Sequence, residues 1–246
     1  MQRLLLSCLA AIGLCLPLSA CGGDSATAPG FADGTRVLFI GNSLTYTNNL
    51  PEMFVALAGL GGRSGVHVAS VAYPDFALED HWQEGTARRA LTTSKWEFVV
   101  MQQGSSALPA SQINLREGAQ TFAPLIRAAG ATPVLFMVWP TTARLGDFPA
   151  VLQTYRGAAA AIGGVFAPAG DGWTAFGNLQ VLDSGDGLHP SSPGTYIAAL
   201  VLLDGTLGIR PTSLPATIPG GNMPEASVRL LQQAAQAALD RNAARP

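Results

Sequence analysis

The chain is poor in the residues that support thiol, metal and cofactor chemistry. Its three cysteines, Cys8, Cys15 and Cys21, all fall at the N-terminal end of 246 residues. No thiol follows Cys21, so a cysteine nucleophile and a cysteine-ligated zinc site are excluded from the rest of the chain. Lysine occurs once, as Lys95 beside Trp96, which leaves Schiff-base chemistry a single candidate. Histidine occurs at His67, His81 and His189 only, and no H-E-x-x-H pair exists, so no metal site is expected. Charged residues make up 12% of the chain and the formal charge is −2, with no basic patch, so nucleic acid is not an expected partner. There is no Walker A sequence. Gly59-Leu60-Gly61-Gly62-Arg63-Ser64 echoes a dinucleotide fingerprint, but it ends a helical pattern instead of following a strand. No metal or organic cofactor is expected.

The N-terminus reads as an export signal. Arg3 opens a short positive region, and Leu4 to Pro17 is apolar but short for a membrane span. Leu18-Ser19-Ala20-Cys21 resembles the lipobox of bacterial lipoproteins, which implies cleavage after residue 20 and lipidation of Cys21. Residues 21–35 then form the lipidated cysteine and a Gly/Ser/Ala/Pro-rich tether. The expected product is an exported protein held at the bacterial envelope by a lipid anchor. Without residues 1–20 the chain loses Arg3, leaving 13 basic against 16 acidic residues, a formal charge of −3.

Residues 36–246 alternate short apolar runs with longer helical patterns. The spacing predicts strands at 36–40, 66–72, 97–101 and 133–139, with short extended pieces at 165–167 and 180–182. Helices are expected at 50–60, 78–91, 115–129, 148–162, 195–207 and 225–241. The clearest strands are apolar throughout, as required when both faces of a sheet are covered. The pattern predicts one α/β domain, a three-layer α/β/α sandwich around a mostly parallel sheet. Sites in such sheets lie beyond the carboxyl ends of the strands.

Three such ends carry polar residues: Gly41-Asn42-Ser43-Leu44-Thr45, Gln102-Gln103-Gly104-Ser105-Ser106, and Asp183-Ser184-Gly185-Asp186-Gly187-Leu188-His189-Pro190. Polar side chains beside buried strands are costly unless paired, and one shared cleft accounts for all three. A serine hydroxyl needs a base to become a nucleophile, and imidazole suits that role near neutral pH. His189 sits in a Gly/Asp loop before a helix, with Asp186 three residues earlier and Asp183 as the competing acid. Ser43 can equally be a helix N-cap or turn residue, and Asp186 a turn residue before Gly187. An α/β-hydrolase elbow requires G-x-S-x-G, whereas Thr45 occupies the last position here.

Gly41-Asn42-Ser43-Leu44 near the start, with Asp186-Gly187-Leu188-His189-Pro190 near the end, resembles the SGNH (GDSL-like) hydrolase superfamily. The likeness spans residues 36–208 in order and spacing, and Pro190-Ser191-Ser192-Pro193-Gly194-Thr195-Tyr196 continues it after the histidine. It implies a flavodoxin-like fold and catalytic roles for Ser43, Asp186 and His189. It also implies an oxyanion hole built from the Ser43 N–H, a glycine of a second block and an asparagine of a third. This chain departs from that pattern twice. Pro74-Asp75-Phe76-Ala77 has no glycine, so Asp75 is expected to give a backbone N–H only. The third block lacks asparagine, so Gln102 is expected to donate in its place, with Gln103 and Ser106 as rivals. A branch with Q-x-x-S in place of the asparagine block and L-x-x-H-W before it is similar, and Leu78-Glu79-Asp80-His81-Trp82 matches the latter. Asn42, Gln103, His81 and Trp173 are candidate substrate-lining residues.

The resemblance therefore implies hydrolysis of a small acyl ester, such as acetyl on a carbohydrate, by a carboxylic-ester hydrolase. The alternative is a non-catalytic envelope lipoprotein that binds a glycan or small ligand in the same cleft.

Overall fold

A computed structural model describes residues 34–243. The export segment 1–20, Cys21 and most of the tether lie outside the described residues. Among the described residues, no helix is long and apolar enough to cross a membrane.

The sheet has five parallel strands in the order β2-β1-β3-β4-β5. They are β1 (Arg36–Gly41), β2 (His67–Ala72), β3 (Phe98–Met101), β4 (Thr132–Phe136) and β5 (Val165–Ala167). Central strand β1 pairs with β2 and β3, aligning Ile40 with both Val71 and Met101. Val37–Ile40, Val99–Met101 and Val134–Phe136 are almost wholly buried, which explains why these segments carry no polar alternation. β2 lies at the sheet edge and is largely exposed, so its His67 is a surface residue.

Helices cover both faces. The helices α3 (Leu78–Glu84), α4 (Thr86–Thr93), α5 (Pro109–Ala128) and α6 (Phe148–Ala161) pack in succession. Gly118 of α5 meets Leu78 of α3 so closely that a Cβ there would stand 2.6 Å from Leu78 Cβ. Elsewhere α9 (Ser192–Leu207) packs against α2 (Leu50–Leu60), α7 (Ala169–Phe176) and α10 (Glu225–Ala243). Residues Tyr196–Leu203 of α9 are buried on every side, as its unbroken apolar sequence requires. This is the expected α/β sandwich around a parallel sheet.

Several expected boundaries change for physical reasons. The helix expected over 78–91 is two helices, because Gly85 takes a left-handed φ of 93° and reverses the chain. The helix expected at 115 starts at Pro109, whose ring suits a first helical turn. Ladder pairing of β4 stops at Phe136, although the buried chain continues to Trp139. The extended piece expected at 180–182 is instead a helical turn, α8 (Leu179–Leu182). The Asp186 loop thus leaves a helix, and a single antiparallel bridge between Asp183 and Pro190 closes its neck.

Candidate active site

The nucleophile candidate is placed by the end of β1. After Gly41 the chain turns into a four-residue helix, α1 (Ser43–Tyr46), with Asn42 as its N-cap. The Asn42 side chain accepts from the Leu44 N–H at 3.1 Å, and the Asn42 carbonyl accepts from the Thr45 N–H at 2.9 Å. These bonds engage the second and third helical N–H groups. The Ser43 N–H has no acceptor among the described hydrogen bonds, and Ser43 lines the adjoining cleft. The capping reading of this turn therefore belongs to Asn42, leaving Ser43 on the cleft side.

Gln102 braces the turn from below. Its Oε1 accepts from the Asn42 N–H at 3.0 Å and from Thr45 Oγ1 at 2.8 Å, while its Nε2 donates to Asn42 Oδ1 at 2.9 Å. The backbone donor fixes which end of the amide is oxygen. Gln102 was expected to donate to an oxyanion, but it is completely buried and its carboxamide is held by the turn. That expectation is corrected: Gln102 supports the turn and is not in the cleft. Its neighbour Gln103 does line the cleft, accepting from the Leu78 N–H at 3.2 Å and donating to the Ser111 carbonyl at 3.4 Å. Tyr155, whose hydroxyl burial pushes strongly toward the neutral form, donates to the Gln103 carbonyl at 2.5 Å and holds the exit of β3.

The base candidate sits on a tightly bonded loop. His189 Nδ1 lies 2.6 Å from Asp186 Oδ2. Asp186 Oδ1 accepts from the Leu188 and His189 N–H groups at 2.9 and 2.8 Å. The His189 side chain and these two N–H groups hold the Asp186 carboxyl well below the usual carboxylate range, so it stays ionised and orients the ring. Asp183, the competing acid, instead accepts from the Gly185 and Gly187 N–H groups at 2.7 and 3.1 Å and shapes the turn. Outside support comes from Thr142, whose N–H donates to the Gly187 carbonyl at 2.8 Å, and from Trp139 Nε1, which donates to the Leu188 carbonyl at 2.9 Å.

Asn48 joins the two halves. Its Nδ2 donates to the Pro190 carbonyl at 2.8 Å and to Thr195 Oγ1 at 2.9 Å, tying the segment after Ser43 to the residues after His189. Asn48 and Asn49 both adopt a φ of 53°, which asparagine tolerates better than most residues. Sequence reasoning missed Asn48, and the Asn-Asn pair just before the helical pattern at 50–60 was its only trace. Leu188 borders the same cleft as Ser43. Ser43 and His189 are not hydrogen-bonded to each other among the described contacts, and His189 Nε2 has no partner there.

Asp75 completes the cleft edge. It takes a φ of 60°, the conformation for which glycine is the usual residue, and its N–H has no acceptor among the described hydrogen bonds. Asn42 Nδ2 donates to the Phe76 carbonyl at 3.2 Å, which draws this loop beside the nucleophile turn. Two expected lining residues are elsewhere. Trp173 lies in α7, only 2% exposed, stacked on Trp139 at 3.7 Å between ring centroids. His81 is completely buried behind the turn. Both rings gain more from core packing than from an exposed rim. Asn42 lines the cleft while also holding the turn. Among the described residues, no group of three or more His, Cys, Asp or Glu side chains is placed to hold a metal.

Solved structures share this arrangement of strands and helices. A candidate SGNH hydrolase from Slackia heliotrinireducens is similar at 29% identity and a TM-score of 0.63, over 70% of this chain and 99% of its own. The chain has the SGNH hydrolase fold. A DUF4886 family protein from Bacteroides uniformis is similar at 18% identity and a TM-score of 0.65, over 84% of this chain and 95% of its own. An acetyl xylan esterase from Geobacillus stearothermophilus is similar at 17% identity and a TM-score of 0.53, over 71% of this chain and 95% of its own. No sequence-family profile and no curated protein matches the chain. The SGNH hydrolase likeness supports a hydrolase at that coarse level.

Proposed function

We propose that the protein is a serine esterase that removes a small acyl group, such as acetyl, from a hydroxylated, carbohydrate-like alcohol. The observation that carries this reading is the Asp186–His189 pair, in which the short contact to Nδ1 leaves Nε2 as the proton acceptor. Ser43 Oγ attacks the ester carbonyl while His189 Nε2 takes the hydroxyl proton. The tetrahedral intermediate collapses, the alcohol leaves with that proton, and an acyl-Ser43 ester remains. Water then repeats the sequence, releasing the carboxylic acid and restoring Ser43. The Ser43 and Asp75 N–H groups, both without other acceptors, form a two-donor oxyanion hole of backbone origin. The Ser43–His189 hydrogen bond of about 3 Å forms once substrate is bound, since such bonds are often open in the free enzyme.

The cleft supports the substrate class. Its volume is about 560 Å³, and among the described residues that line it there is no aromatic ring and Leu44 and Leu188 are the only large apolar side chains. Such a wall suits a short acyl group better than a long chain. Serine, asparagine and glutamine side chains offer partners for sugar hydroxyls, and among the described lining residues the charged ones are Asp75, Glu79, Asp80 and Arg144. That charge balance favours a neutral alcohol over an anionic one. The acetyl xylan esterase among the similar structures accords with this reading. We place the enzyme at the bacterial envelope, exported and lipidated at Cys21, with no cofactor.

The test is hydrolysis of p-nitrophenyl acetate by the wild-type protein and by Ser43→Ala. Turnover is expected in the former and a loss of at least about a thousandfold in the latter. A variant with wild-type turnover contradicts the assignment. The unformed Ser43–His189 contact favours one second reading, a lipoprotein that only binds a glycan in this cleft. Glycan binding by a wild-type protein that has no esterase activity establishes that reading instead.

A further inference from the structure

His81 has no place in the chemistry above, yet it is completely buried immediately behind the nucleophile turn. Its Nε2 lies 2.8 Å from the Gly41 carbonyl oxygen. A carbonyl can only accept, so Nε2 carries the proton and donates. The same oxygen accepts from the Tyr73 N–H at 3.1 Å. The other end of that peptide group, the Asn42 N–H, donates to Gln102 Oε1 at 3.0 Å. The Gly41–Asn42 peptide plane, one peptide before the one that carries the Ser43 N–H, is thus gripped at both ends. Gly41 itself leaves no slack, because a Cβ there would stand 2.2 Å from Thr45 Oγ1 and 2.5 Å from Gln102 Oε1.

His81 also reaches the other oxyanion element. Its ring stacks on Tyr73 at 5.7 Å between centroids and meets Phe76 edge-on at 5.1 Å. Tyr73 and Phe76 flank Asp75, so one ring touches the anchors of both proposed oxyanion donors.

A residue needed only for packing does not have to be histidine here. His81 Nδ1 is buried and has no hydrogen-bond partner among the described residues. Leaving a buried acceptor unpaired is costly, and a leucine or phenylalanine at the site avoids that cost. Burial also lowers the ring's pKa, which favours the neutral form. The feature that only histidine adds over an apolar ring is the Nε2 donor to Gly41.

We infer that His81 is a positioning residue for the reaction, an Nε2–H donor that fixes the Gly41–Asn42 peptide and couples the Ser43 turn to the Asp75 loop. This rests on the esterase reading of Ser43. It predicts that His81 acts on kcat, because the geometry it sets concerns attack and oxyanion binding more than the affinity for substrate.

The test compares the full-length wild type with His81→Gln, His81→Leu and His81→Phe, using p-nitrophenyl acetate turnover and near-UV circular dichroism. Glutamine places its Nε2 close to the position of imidazole Nε2, whereas leucine and phenylalanine offer no donor. The folded apolar variants should lose kcat by about tenfold or more with KM within about twofold. His81→Gln should stay within about threefold of the wild type. A folded apolar variant with unchanged kcat overturns the inference, and so does failure of both apolar variants to fold, which marks a purely structural role. A wild-type protein without turnover counts against the esterase function instead. The backbone amide shifts of Asn42 and Ser43, displaced by an apolar substitution and restored by glutamine, then decide the positioning role alone.

Discussion

Gln102 and His81 hold opposite ends of a single peptide group. Gln102 Oε1 accepts from the Asn42 N–H at 3.0 Å, and His81 Nε2 donates to the Gly41 carbonyl at 2.8 Å. Neither side chain reaches the cleft, and both are completely buried. The nucleophile turn is therefore set by a polar framework beneath it.

Replacing Gln102 tests that framework. Gln102→Leu leaves the Asn42 N–H and Thr45 Oγ1 without their present partner, while Asn42 Oδ1 keeps the Leu44 N–H. At about 1–3 kcal/mol for each buried unpaired group, a loss of about 2 kcal/mol or more in unfolding free energy is expected. Urea denaturation measures it. A variant as stable as the wild type shows that Gln102 does not support the turn.

Asp186 is exposed, so Asp186→Asn should leave the fold intact while removing the anion beside His189 Nδ1. A fall in kcat of about a hundredfold to ten-thousandfold is expected, with circular dichroism unchanged. Near-wild-type kcat removes Asp186 from the mechanism.

The same carboxyl has a pH signature. Its pKa in the folded chain lies below the unfolded value because His189 and two backbone N–H groups favour the anion. Its stabilising contribution is therefore complete above the ordinary aspartate value of about 3.9 and is lost as pH falls through the lower folded value. A ¹³C carboxylate titration by NMR should place its midpoint well under that ordinary value. A midpoint at or above it contradicts the hydrogen-bonded geometry.

Asn48→Ala cuts the tie between the nucleophile turn and the histidine loop. Two hydrogen bonds at about 1 kcal/mol each set the expected stability loss near 2 kcal/mol. The looser spacing of Ser43 and His189 should lower kcat by about tenfold. Thermal melts and steady-state kinetics together check this, and an unchanged kcat shows that the tie is not what aligns the pair.

Asp75 holds a glycine-like φ of 60°. Asp75→Val should cost about 1–2 kcal/mol, since a β-branched side chain fits that region poorly, while Asp75→Gly should cost none. If the hole uses the backbone N–H alone, Asp75→Gly keeps kcat. A large drop in kcat for the glycine variant assigns the carboxylate a direct role.

Much of this arrangement was legible in the sequence, for local reasons. Val37–Ile40, Val99–Met101 and Val134–Phe136 are uniformly apolar because helices cover both faces of the sheet, and that pattern alone predicts a parallel sheet. Asp186 and His189 are three residues apart, so one turn brings them together. What was not legible depends on distant contacts. Asn48 meets Pro190 and Thr195 across more than 140 residues, and no local pattern records that. Gln102 marks a strand exit in the sequence, but only the folded turn reveals that Asn42 and Thr45 close over it. Residues 180–182 are too few and too apolar to separate a helical turn from a strand, and tertiary packing chose the helix.

The most direct test of the central claim is covalent labelling with a fluorophosphonate probe, followed by peptide mapping. The account predicts one adduct, on Ser43, that is absent in Ser43→Ala and strongly slowed in His189→Ala. A wild-type protein that takes no label, or takes it on another residue, contradicts it.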